Sequence, residues 1–121
     1  MKVKILGLQP GTYQKNDTYE SYMMKQYNLL EEAVEKENPY FVMCPELMTG
    51  PFFAGVCEDK WFETAEPVDG PTSQEMISRA KKLGVHILYS FFERAVENGV
   101  TVYYNTLALA SPTRGLIGIY H

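Results

Sequence analysis

Two short apolar runs, residues 3–9 and 40–44, bracket one long amphipathic stripe, and that arrangement limits the fold more than any other feature. Between them, Tyr19, Tyr22, Met23, Tyr27, Leu30, Ala33 and Val34 recur at offsets of three and four, which places one apolar face on a helix over residues 18–37. Asp17 with Glu20 reads as its N-terminal cap, and Asn38-Pro39 as its stop. A strand, a helix and a second strand joined by so long a crossover make a βαβ unit with parallel strands. The expected class is therefore α/β.

The second run is buried on both faces by this reading, because it does not alternate. Pro45 closes it, having no N–H to offer a neighbour, and Glu46 follows directly. A turn is expected at Gly50-Pro51. In open α/β sheets ligands bind beyond the carboxyl ends of strands, where Glu46 stands. Two readings of that residue stay open at this point. It is a candidate general base, or it caps a neighbouring helix or pairs with an arginine.

Residues 54–68 read as an irregular loop, and Asp69-Gly70-Pro71 as a turn. Thr72 with Glu75 forms an expected capping box for a second helix, carried by Met76, Ile77, Ala80 and Leu83 and closed by Gly84. A third strand is expected over 85–92, a polar connection through Asn98-Gly99, a fourth strand over 100–110, a turn over 111–115 and a fifth strand over 116–120. Val102, Leu107, Leu109, Leu116 and Ile119 then belong to a hairpin with no helix after it, so one broad sheet face is expected to lie open and the chain reads as unfinished.

Composition removes several function classes. The 121 residues suffice for one domain, and 45% hydrophobic content with nine tyrosines excludes disorder. A net charge of −4 without a lysine or arginine cluster argues against nucleic acid as a partner. No apolar run reaches the ~20 residues of a membrane span, and residues 1–8 enter a strand without a cleavable leader. Two cysteines supply neither a disulfide framework nor metal-ligand spacing, so no metal and no cofactor is expected and a reduced, cytoplasmic setting is. Cys44, inside a strand, reads as a small buried hydrophobe, and the acidic neighbours of Cys57 would raise its thiol pKa. His86 reads as a core residue of a strand. Neither a phosphate-binding glycine loop nor a nucleophile elbow is present.

Three segments resemble the carbon–nitrogen hydrolases of the nitrilase superfamily. Pro45-Glu46-Leu47 with Gly50 and Phe52-Phe53 is similar to that family's first catalytic block. Ala65-Glu66-Pro67-Val68-Asp69-Gly70-Pro71 resembles its link to the second helix. Phe91-Phe92-Glu93-Arg94, Tyr104-Asn105-Thr106, Pro112, Gly115 and Gly118-Ile119-Tyr120 resemble the strands leading to its second block. The resemblance implies that residues 1–121 are the N-terminal part of a single α-β-β-α four-layer sandwich domain, incomplete in this chain.

It further implies a glutamate, lysine and cysteine mechanism in which Glu46 is the glutamate. The lysine would come directly after His121, and neither Cys44 nor Cys57 matches the surroundings of the nucleophile. The substrate implied is a small amide, N-carbamoyl amine or nitrile. Phe52 and Phe53 suit the N-carbamoyl branch as substrate contacts, and a homo-oligomer is implied for the complete family member. The competing expectation is a catalytically inactive truncated fragment that acts as an interaction module.

Overall fold

The computed structural model describes residues 1–53, 55 and 58–121. Its elements run β1 (Ile5–Gly7), α1 (Tyr19–Glu37), β2 (Phe41–Met43), a 3-10 turn (Asp59–Thr64), α2 (Pro71–Leu83), β3 (His86–Glu97), β4 (Val100–Ser111) and β5 (Gly115–Tyr120). The strands form one five-stranded sheet in chain order. β1, β2 and β3 are parallel, as the two long crossovers require, and β3, β4 and β5 are antiparallel.

Both helices cover the same side of the sheet. Tyr22, Met23, Leu30 and Val34 of α1 and Met76 and Ala80 of α2 meet Val42, Ile87, Tyr89, Phe91, Ala108 and Ala110 in one apolar core. The stripe also buries a polar residue, Gln26, whose Nε2 donates to Met48 O at 2.5 Å and ties α1 to the chain after β2. The register puts Ile5, Met43, Leu88, Leu109 and Leu107 on the opposite side of the sheet. That side is the open face expected from the sequence. Of the expected apolar set only Leu107 and Leu109 lie there: Leu116 pairs with Ala110, Ile119 with Ala108 and Val102 with Ala95, all on the helix side, and Leu116 packs on the core because α2 reaches across β4 toward β5.

Several local readings are corrected by longer-range contacts. The cap of α1 is Thr18, not Asp17: Thr18 Oγ1 accepts from Ser21 N at 3.1 Å and Thr18 N donates to Ser21 Oγ at 3.0 Å. Asn38, in the left-handed region at φ 46°, ends that helix as expected, just before Pro39. For α2 the expected Thr72–Glu75 box does not form. Gly70 is the cap residue, without a side chain to offer, and Pro71 starts the helix. Gly70 is required there, since a Cβ would lie 2.8 Å from Pro67 O. Residues 59–64 make a 3-10 turn where an irregular loop was expected. β3 continues to Glu97 rather than ending at Phe92, because Asn98-Gly99, at φ 51° and 80°, is a two-residue hairpin turn.

Candidate active site

The cleft at the carboxyl end of β2 follows from a mismatch in chain length along one edge of β3. Cys44 N donates to Leu88 O at 2.8 Å, and Met48 N donates to Ser90 O at 3.1 Å. Two residues of β3 are thus matched by four of the partner segment, and Pro45, Glu46 and Leu47 are forced out of the ladder. Pro45 has no N–H to leave unpaired in that excursion. The turn therefore starts at Glu46 itself, not at Gly50-Pro51. Leu47 sits at φ 46°, which a leucine rarely adopts, and its N–H is held by Ser90 Oγ at 3.0 Å. Further along, Glu66 N donates to Phe92 O at 3.0 Å and Arg94 N to Glu66 O at 2.8 Å, so the same edge stays occupied past the turn.

Glu46 is thereby pushed to the rim with its carboxylate exposed. Its hydrogen-bond partner is Asn105, whose Nδ2 donates to Oε1 at 2.7 Å. Ser90 Oγ in turn lies 3.1 Å from Asn105 Oδ1. Among the described residues Glu46 neither caps a helix nor pairs with an arginine. It lines an open cavity of about 350 Å³, together with Pro10, Tyr13, Tyr22, Pro45 and Phe52. Tyr13 and Tyr22 form an aromatic pair in its wall, 4.9 Å between centroids, and burial raises the pKa of the Tyr22 phenol.

The two phenylalanines after the turn part company. Phe52, 68% exposed, lies along the cavity with Glu46. Phe53 turns inward, stacking on Trp61 at 5.6 Å and leaning on Phe92 at 5.0 Å, in a second cluster with Leu47 and Ala65. That cluster covers the distal part of β3 on the side away from the helices.

Cys44 stays apart from the carboxylate chemistry. Cys44 packs against the helix-side core, and burial pushes its pKa up to about 12, so it is not a nucleophile at neutral pH. Cys57 lies outside the described residues. His86 is half-buried with its ring 4.9 Å from Tyr40. His121 stacks on Tyr104 at 3.9 Å, and its Nε2 lies 3.0 Å from Oε2 of the buried Glu93. No group of three or more potential metal ligands occurs among the described residues, nor is any described helix long and apolar enough to cross a membrane.

Sequence reasoning had no access to the roles of Ser90 and Asn105. Asn105 did carry a signal, being an amide inside a run of β-branched, aromatic and aliphatic strand residues. Ser90 carried none, since a serine in a buried strand is commonplace.

Known proteins resemble this chain in sequence and in fold. N-carbamoylputrescine amidase of Solanum lycopersicum is 32% identical over 92 residues, covering 75% of this chain and 29% of that protein. The Arabidopsis thaliana protein of the same name is 35% identical over 93 residues, covering 76% and 29%. The chain thus spans under a third of the length of these relatives. A carbon–nitrogen hydrolase from Helicobacter pylori G27 superposes with a TM-score of 0.83 at 22% identity, over 98% of this chain and 38% of that one. A CN-hydrolase superfamily protein of Xanthomonas campestris gives 0.74 at 27% identity, over 99% and 40%. The carbon–nitrogen hydrolase family model matches residues 3–121, and the chain belongs to that family, as an N-terminal portion of the nitrilase-superfamily fold.

Proposed function

We propose that this chain supplies the general base of an enzyme that hydrolyses a non-peptide carbon–nitrogen bond, and that the base is Glu46. One observation carries the reading: a carboxylate held by a neutral amide, with no cation paired to it among the described residues, on the rim of a cavity of about 350 Å³. The substrate class is a small N-carbamoyl amine, amide or nitrile, with the N-carbamoyl amines favoured by the names of the plant relatives. Phe52 would lie against the substrate, while Phe53, packed on Trp61 and Phe92, does not line that cavity.

In this reaction a thiol attacks the carbonyl or nitrile carbon, giving a covalent thioester or thioimidate. Glu46 takes the thiol proton, passes it to the departing nitrogen and then removes a proton from the attacking water. A lysine stabilises the oxyanion, a contribution of about 3–4 kcal/mol when one such donor is lost. The family resemblance assigns the lysine and the nucleophilic cysteine to positions with no counterpart in residues 1–121. The activity, its substrate and any homo-oligomer therefore belong to a protein carrying the whole domain.

The test is Glu46→Gln in such a complete domain, which keeps shape and hydrogen-bonding capacity but removes the proton acceptor. Ammonia release from an N-carbamoyl amine should fall at least ~10²-fold with an unchanged melting temperature. Full turnover by the variant would show that the base lies elsewhere. A second reading, an interaction module, is favoured by the open sheet side, where Ile5 is 60% and Met43 44% exposed. Binding of this chain to a complete homologous hydrolase, lost on Ile5→Lys and Met43→Lys, would support it.

A further inference from the structure

We infer that Ser90 and Asn105 are positioning residues that fix one oxygen of Glu46 and leave the other as the basic one. The inference rests on Glu46 being the general base. Glu46 as a carboxylate can only accept hydrogen bonds, so the Asn105 atom 2.7 Å from its Oε1 must be the amide nitrogen. That orientation turns Asn105 Oδ1 toward Ser90 Oγ, 3.1 Å away. Ser90 has one hydroxyl proton. Its oxygen already accepts the Leu47 N–H at 3.0 Å, which leaves the proton for Asn105 Oδ1. The direction of each bond in the chain Leu47 N–H, Ser90, Asn105, Glu46 is thereby set, and a flipped amide would lose its bond to Glu46 and turn Oδ1 against that carboxylate.

The sheet makes this arrangement stiff. Ser90 pairs with Leu107 across the β3–β4 ladder, and Asn105 is two residues further along β4, so the two side chains are diagonal neighbours on one side of the sheet. Ser90 is buried and also holds Leu47 in its left-handed conformation, so one hydroxyl fixes both the turn that presents Glu46 and the amide that grips it. Glu46 Oε1 receives that grip. Proton transfer then falls to Oε2, and the direction of that lone pair is set before substrate arrives, which is the kind of pre-orientation that a shift of ~1 Å degrades about 10²-fold.

The decisive variant is Asn105→Asp, assayed in the complete hydrolase domain that carries residues 1–121. It keeps the shape of the side chain but replaces the donor with an acceptor. Asn105 is exposed, so the melting temperature should stay close to that of the unsubstituted domain. We expect kcat to fall about ten- to a hundredfold with KM changed less than about twofold. Asn105→Ala should fall similarly, and in a Glu46→Gln background either substitution should add less than about twofold, since the group being positioned is gone. If Glu46→Gln is inactive while Asn105→Asp retains wild-type kcat, or if the two losses multiply, the positioning role is wrong and the base assignment stands. If Glu46→Gln itself retains turnover, both fall.

Discussion

Glu93, only 4% exposed on β3, lies 3.0 Å from Nε2 of His121 at the end of β5. Thr106 Oγ1 donates to the same carboxylate oxygen at 2.5 Å, and the ring of His121 is stacked on Tyr104, the cross-strand neighbour of Glu93. A buried carboxylate needs each of its donors, so this cluster locks the end of β5 onto the long hairpin.

Thr106→Val keeps the shape of the side chain and removes a donor from that buried oxygen. The expected cost is about 1–3 kcal/mol, read as a lower denaturant midpoint with an unchanged m-value. An unchanged midpoint would mean that Glu93 is satisfied without Thr106.

Helix α2 borrows its cap from outside. Glu66 Oε2 accepts Thr72 N at 2.8 Å, and its Oε1 accepts Thr72 Oγ1 at 2.9 Å and the Tyr19 hydroxyl at 3.1 Å. A carboxylate at that end also meets the positive pole of the helix. Glu66→Ala should cost about 1–2 kcal/mol by thermal unfolding. Glu75→Ala loses only a helix-surface pair with Arg79 and should cost about 0.3–0.5 kcal/mol. The opposite ranking would restore the capping box read from the sequence.

Cys44 should resist alkylation in the folded state. In a Cys57→Ser background, a pKa of about 12 against an ordinary 9.0 lowers the thiolate fraction at pH 8 about a thousandfold. Its modification should therefore track unfolding in a denaturant series. Because the folded pKa is raised, the linked stability is fully present below pH 9 and is lost as pH rises from 9 toward 12, where the unfolded thiol ionises first. Rapid labelling of native protein would show that the thiol is open to solvent.

The sheet side away from the helices carries Ile5 at 60% exposure, Met43 at 44% and Tyr120 at 75%. The 121-residue chain by itself is expected to bind a hydrophobic dye or self-associate, and Ile5→Lys with Met43→Lys should reduce both without lowering the melting temperature. A clean monomer with a sharp unfolding transition and no dye binding would refute this.

The residues were legible wherever structure follows from near neighbours. The helical stripe from Tyr19 to Val34, the stop at Asn38-Pro39, the break at Pro45 and the placing of Glu46 beyond a parallel strand all rest on backbone chemistry acting over a few positions. Even there, which residue capped a helix was decided by competition. Thr18 outdid Asp17, whose carboxylate is held by Lys25 at 2.5 Å, and Glu66 took the role left empty by Gly70. Tertiary structure alone decided what Glu46 touches, since its partner Asn105 is 59 residues away and reaches it only once the β3–β4 register is set. The same holds for the division between Phe52 and Phe53 and for the burial of Glu93. Local sequence biases torsion angles within a turn or two, but it does not encode which strand edge a displaced segment will rejoin. That depends on the free energy of the assembled sheet.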